Sequence, residues 1–233
     1  MLFSSHKNIS PVSDITIGHH IIKRVSSTKF LGVDIEDNLT WINHTKKIER
    51  KLSSLIFVIR NIRHKINRKT ALQLYDTLIL SQLSYCVLIW GNTYKTHISN
   101  IFRLQKRALR LCHGLSVLTS DELFRFTNRL SFYDIHKFHT AKLVYRFFNQ
   151  STIFPKCIAA LFSKTSEIHH FNTRSVDQLC LHHFFGRLAP RNFSTKLYAP
   201  VLWNKIPIHI RQTVTEGHFK NLYKSFLLTN VDS

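Results

Sequence analysis

Carboxylates are what this chain has too few of. Thirteen Asp and Glu face 33 Lys and Arg, a formal net charge of +20 over 233 residues. Enzymes that hold divalent metals for phosphoryl chemistry need clustered carboxylates, and here there are few to cluster. No Asp-Asp pair, no Gly-x-Ser-x-Gly elbow and no Gly-rich phosphate loop occurs. No apolar run approaches the roughly 18 residues of a membrane span, and the start, Met1-Leu2-Phe3-Ser4-Ser5-His6-Lys7, lacks the apolar stretch of a secretory signal. Four Cys at 86, 112, 157 and 180 fit no disulfide framework. Free thiols in a reducing, intracellular compartment are expected. Only six Gly and five Pro argue against low complexity.

What is there is a core and a surplus of positive charge. Hydrophobic residues are 44% and aromatics 12%, with 18 Phe against one Met, enough to bury aromatic-rich helix contacts. The length fits one large domain or two small ones. A charge of +20 is self-repelling unless a polyanion offsets it. Nucleic acid is the commonest such partner and anionic membrane the second.

Residues 15–18 and 20–24 read as short strands bent at Gly18, and 28–35 alternates well enough for a third, ending in a turn at Glu36-Asp37-Asn38. The period then changes. Trp41, Ile48, Leu52, Leu55, Ile59, Ile62 and Ile66, with Thr45 filling one step, predict a long amphipathic helix over 41–65. Asn67 is the expected N-cap of a mostly buried helix that Gly91-Asn92 ends. A helix over 96–112 stops at Gly114, Ser120 caps 121–129, and Ser131 caps a helix through Phe148. Beyond Asn149, Pro155, Pro190, Pro200 and Pro207 predict short pieces before a terminal helix over 216–228. The fold class is therefore mainly α. A small N-terminal β hairpin or three-stranded piece (1–40) precedes a helical bundle (41–115), further helices (116–149) and an irregular basic C-terminal region (150–233).

In the 96–112 helix the apolar face uses Ile98, Ile101, Gln105, Ala108 and Cys112, while Arg103, Lys106, Arg107 and Arg110 form one stripe away from the core. Four like charges on one face repel, and a phosphate backbone would turn that cost into binding. Lys46, Lys47, Arg50 and Lys51 make a second cluster. On adjacent helices the two could track a duplex by phosphate contacts, which position without reading sequence. A solvated surface is the alternative for either cluster. Asp34, Glu36 and Asp37 are the densest carboxylates, but an exposed turn explains them better than a metal. Cys157, His169, Cys180, His182 and His183 lack a chelating pair of zinc type. Phe184, Phe185 and Trp203 could stack on bases, with packing the plainer role.

At Lys29-Phe30-Leu31-Gly32-Val33, then Asn38-Leu39-Thr40-Trp41 and His44, the chain resembles the reverse transcriptases of LINE-type (non-long-terminal-repeat) retrotransposons of the Jockey-like kind, in the part after the catalytic aspartates. The resemblance continues in order through Leu83-Ser84-Tyr85-Cys86 with Trp90-Gly91, Leu104-Gln105-Lys106-Arg107-Ala108-Leu109-Arg110, Asn172-Thr173-Arg174, Ala199-Pro200-Val201-Leu202-Trp203-Asn204-Lys205-Ile206-Pro207, and Phe219-Lys220 with Phe226-Leu227-Leu228. It implies that Phe30, Leu31 and Gly32 form a primer grip and that 41–112 form the thumb cradling template and primer, an RNA–DNA hybrid above all.

The family's palm carries an aromatic-x-Asp-Asp motif and an upstream Asp, and neither is found here. The expectation is a fragment opening just after that motif, from a truncated or decayed element or an incomplete gene record. It would bind RNA or DNA, with no catalytic residues, cofactor, metal, small-molecule substrate or membrane, in cytoplasm or nucleus. Two alternatives stay open: a remnant or protein-interaction module, and a subunit working with a palm supplied in trans.

Overall fold

A computed structural model of the chain describes residues 16–21, 25–114, 118–149, 153–168, 179–182 and 193–230. Two antiparallel hairpins come first. β1 (Thr16–Ile17) pairs with β2 (His20–Ile21), and β3 (Ser27–Phe30) with β4 (Val33–Glu36), the latter in register Phe30↔Val33 through Ser27↔Glu36. The single strand expected over 28–35 is thus two strands. Leu31 (φ 45°) and Gly32 (φ 84°) both take left-handed conformations, the two-residue turn whose twist suits a hairpin. Alternation misses it because Leu31 is an unusual residue at positive φ.

α1 (Ile42–Ile62) buries His44, Thr45, Ile48, Leu52, Ile56 and Ile59 along one face and tightens into a 3₁₀ turn at Arg63–Lys65. Its first turn has no side-chain cap of its own. The buried Glu36 supplies one from β4: its carboxylate accepts the Asn43 N–H at 2.6 Å and the Thr40 hydroxyl. A carboxylate there satisfies an orphan donor and complements the helix dipole.

The buried helix after Asn67 is present but not continuous. Asn67 caps α2 (Arg68–Leu74), accepting the Thr70 N–H at 2.8 Å. The chain then widens into π-helical turns at Tyr75–Leu80, returns to α3 (Ser81–Ser84), breaks at Cys86 (φ 50°) and resumes as α4 (Val87–Trp90). Tertiary demands override the period. The fully buried Tyr75 hydroxyl accepts a hydrogen bond from Gln105 Nε2 at 3.0 Å, and at the break Trp90 Nε1 donates to the Tyr85 carbonyl at 2.9 Å. Trp90 meets His44 edge-on and stacks on Phe132, joining α1 to the later helices.

α5 (Lys95–His113) ends at left-handed Gly114. α6 (Ser120–Thr127) is capped by Thr119 in a reciprocal box with Glu122, not by Ser120, and left-handed Asn128 stops it before Arg129. Thr119 wins because Glu122 is then three residues on, where each side chain reaches the other's backbone N–H. Ser131 accepts the Asp134 N–H at the start of α7 (Phe132–Asn149), as expected. α8 (Lys156–Ala159) and α9 (Thr165–Ile168) are single turns. α10 (Thr195–Asn204), α11 (Ile208–Arg211) and α12 (Glu216–Thr229) follow.

Pro200 lies inside α10 instead of ending it. The helix is held from outside. α10 packs on α7, Trp203 stacks on Phe148 and donates to the Leu179 carbonyl at 2.8 Å, and Ala199, Pro200 and Trp203 are buried. α12 lays Phe219 against Tyr145 of α7, with centroids 4.4 Å apart. Burial of this aromatic cluster offsets the hydrogen bond that proline removes.

Candidate nucleic-acid interface

α1 and α5 pack side by side and run the same way. At their N-terminal ends the Thr40 carbonyl accepts from the Thr93 hydroxyl at 3.4 Å and lies 3.2 Å from His97 Nδ1. At their C-terminal ends Arg60, Arg63 and His64 share an open groove of about 650 Å³ with Arg107, Arg110, Leu111 and Gly114. No carboxylate lines that groove among the described residues. The Arg63 guanidinium comes within 3.8 Å of where a Cβ on Gly114 would stand.

The expected basic residues divide by what they touch. Lys46, Arg50 and Lys51 are exposed on α1. Lys47 is tied to Asp34, its Nζ 2.7 Å from the carboxylate, and the Asp34 N–H donates to Nδ1 of the buried His44 at 3.3 Å. Burial holds His44 below the ordinary imidazole range, against the pull of Asp34.

On α5 the four-residue stripe is not uniform. Arg103 and Arg107 are exposed. Lys106 donates to the Ser120 hydroxyl at 3.0 Å and sits 4.4 Å over the Phe102 ring. Arg110 donates to the Leu118 carbonyl at 3.1 Å, while its buried Nε has no partner among the described residues. Two of the four thus hold the start of α6 against α5, and two face outward. One turn beyond, Arg68 donates through Nε to His113 Nδ1 at 2.9 Å and lies 5.3 Å over the Phe126 ring.

Lys46, Lys47, Arg50 and Lys51 lie in the first half of α1, while Arg103 stands near the middle of α5 and Arg110 near its end. Arg60, Arg63 and His64, which carry the basic face of α1 on into the groove, were not among the expected residues. A signal was present: Lys46, Arg50, Ser53, Phe57 and Arg60 recur at i, i+4, i+7, i+11 and i+14, one stripe that runs into the groove.

Phe30 and Leu31 stand at the tip of the second hairpin, 62% and 73% exposed. The tip is tethered. The Tyr85 hydroxyl, at the helix break, donates to the Leu31 carbonyl at 2.6 Å, and its ring covers Gly32. The conceivable metal ligands disperse: Asp34 pairs with Lys47 and Glu36 caps α1. Cys180 Sγ accepts a hydrogen bond from Arg211 Nη1 (3.4 Å), Cys157 is exposed, and His169 and His183 lie outside the described residues. So do Phe184, Phe185 and the Asn172-Thr173-Arg174 motif. Trp203 is fully buried, which leaves it packing and not base stacking.

Two curated proteins share sequence with this chain. The RNA-directed DNA polymerase from mobile element jockey of Drosophila funebris is 23% identical over 103 residues, 43% of this chain and 11% of that protein. The probable RNA-directed DNA polymerase from transposon X-element of Drosophila melanogaster is 25% identical over 96 residues, 40% of this chain and 11% of that protein. Part of this chain is a region related to non-LTR retrotransposon reverse transcriptases. The matched stretch spans only about a tenth of either relative's length. No family model and no solved structure matches.

A reverse transcriptase palm holds divalent metal on clustered carboxylates, and the residues described here do not fit such a site. Among them no three His, Cys, Asp or Glu side chains converge. The remaining ion pairs are structural, such as Asp76 with Arg129 (2.5 Å) and Glu216 with Arg146 and Lys220 (3.0 and 2.7 Å). Also among the described residues, no helix is long and apolar enough to cross a membrane.

Proposed function

We propose that this chain is the primer-grip, thumb and following region of a non-LTR retrotransposon reverse transcriptase, and that it binds template–primer nucleic acid along the outer face of α1 and α5. The observation that carries the reading is the convergence of Arg60, Arg63, His64, Arg107 and Arg110 on one groove that no described carboxylate lines. Four arginines with no described carboxylate beside them are costly alone and favourable against phosphates. Phe30, Leu31 and Gly32, held by Tyr85, are the primer-grip tip. Nucleotidyl transfer is not assigned to the isolated chain. With no Asp-Asp pair in the given sequence, metal-assisted chemistry would need palm carboxylates from outside it.

The test is fluorescence anisotropy with an RNA–DNA hybrid. Lys46, Arg50, Lys51, Arg60, Arg103 and Arg107 are exposed. If they neutralise about six phosphates, affinity falls on the order of 10³-fold between 50 and 200 mM salt. A flat salt response refutes the reading. The exposed apolar tip, Phe30 and Leu31 beside half-exposed Tyr85, favours a second reading, a protein-interaction module. Poor solubility that nucleic acid does not relieve is the result that would support it.

A further inference from the structure

The stripe on α1 that carries Lys46, Arg50 and Arg60 contains one apolar residue that neither the core nor phosphate binding uses. Phe57 is 63% exposed, and no aromatic ring among the described residues packs on it. The inward face of α1 is already filled by Ile48, Leu52, Ile56 and Ile59. Phe57 sits about 10 Å along the helix from Arg50 and about 5 Å from Arg60, at 1.5 Å per residue. Val58, 46% exposed, lies one residue round, between Lys51 and Lys65 on the neighbouring stripe. An exposed ring on a solvated helix face costs solubility. Set between cations, it matches a strand that offers phosphates and bases together.

We infer that Phe57 is a stacking site for an unpaired base of a nucleic-acid strand whose phosphates lie on Arg50 and Arg60. This makes the α1 face a reader of single-strand–duplex junctions and not of duplex alone. The inference rests on the phosphate-binding role of this face proposed above. Arg50 to Arg60 covers about 15 Å, the rise of roughly four stacked nucleotides at 3.4 Å each. In a closed duplex the bases turn inward, so a ring at this height meets sugar and phosphate. An unpaired base can turn out onto it. Stacking of this kind is sequence-tolerant, because every base has a π-face. The flanking cations leave a protein partner possible only if its surface is acidic, and that is an outcome of the test.

The experiment compares two probes, each at a low and a moderate salt concentration: a blunt RNA–DNA hybrid, and the same hybrid extended by a short unpaired strand carrying 2-aminopurine. Wild-type protein is expected to bind the extended probe on the order of tenfold more tightly and to quench its fluorescence. Phe57→Ala is expected to lose both the preference and the quench, while Phe57→Trp keeps them. Thermal melting shows that each variant is folded. A preference and quench that survive in Phe57→Ala overturn the inference, as does wild-type protein that binds both probes equally. In either case salt-sensitive binding would leave the phosphate reading standing. Wild-type protein that binds neither probe, or binds without salt dependence, overturns both. Phe57→Ala that changes only capture of an acidic protein surface overturns the base-stacking role.

Discussion

Arg107 and Lys106 are adjacent on α5 and carry the same charge, yet they should fail in different ways when each becomes Gln. Arg107 is exposed at the mouth of the groove. Removing one phosphate contact lowers the slope of log affinity against log salt by about 0.9, so a fourfold rise in salt weakens binding about 3.5-fold less than in the wild type. Its melting temperature should not move. Lys106 is committed to the Ser120 hydroxyl and the Phe102 ring. A partly exposed charge-assisted hydrogen bond and a cation–π contact together contribute about 1–2 kcal/mol. For a chain of this size that is a drop of about 2–8 °C. Its salt slope should stay that of the wild type. Arg110, which both lines the groove and bonds the Leu118 carbonyl, should show both effects. Anisotropy at four salt concentrations and a melting curve on each variant decide it. If Lys106→Gln and Arg107→Gln lower the slope equally and leave melting unchanged, the stripe is one free face and the division argued here is wrong.

Stability should fall in two stages as the pH drops. Burial, with His139 adding to it, pushes His136 down to about 4, so the unfolded chain binds the extra proton between its ordinary value of 6.5 and 4, and stability falls over that window. Hydrogen bonds from Arg146, then Lys220, hold Glu216 down at about 2, and the stability it adds above its ordinary 4.5 is lost as pH falls toward 2. Melting followed from pH 7 to 2 should show both declines, and Glu216→Gln should shrink the lower one. Gly91→Ala should destabilise by about 1–3 kcal/mol in denaturant titration, because the new Cβ would stand 2.5 Å from the Val87 carbonyl oxygen and 3.0 Å from His136. Tyr85→Phe should remove the bond to the Leu31 carbonyl, read as faster amide exchange at the hairpin tip with the rest of the fold unchanged.

Where a helix has one apolar face and a terminal signal, the sequence was sufficient. α1, α5, α7 and α12 fall close to where periodicity puts them, and Asn67, Gly114 and Ser131 punctuate them as their chemistry demands. The misses share a cause. Leu31 at positive φ, the π-helical turns at Tyr75–Leu80 and Pro200 inside α10 are each locally unfavourable and are held by partners distant in sequence. Gly32 under Tyr85, Tyr75 against Gln105 and Trp203 against Phe148 lie 53, 30 and 55 residues apart. A local window contains none of those pairs.

The same limit governs the site, with a different consequence. Charge can be counted in a sequence, but whether a cation is free depends on what stands opposite it. Lys47 and Lys106 read as phosphate ligands until Asp34 and Ser120 are seen beside them. Arg60 and Arg63 read as an ordinary helix end until α5 brings Arg107 and Arg110 to the same groove. The parallel run of α1 and α5 makes that exchange. It joins two C-terminal ends, where helix dipoles already favour positive charge, so the basic residues there stabilise the pair and remain available to an anion. An antiparallel pair would have put those arginines at opposite ends. The groove is thus a product of chain direction, and the residues that test it are Arg60 and Arg107, one from each helix, whose double substitution to Gln should lower the salt slope by about twice the single value if one strand contacts both.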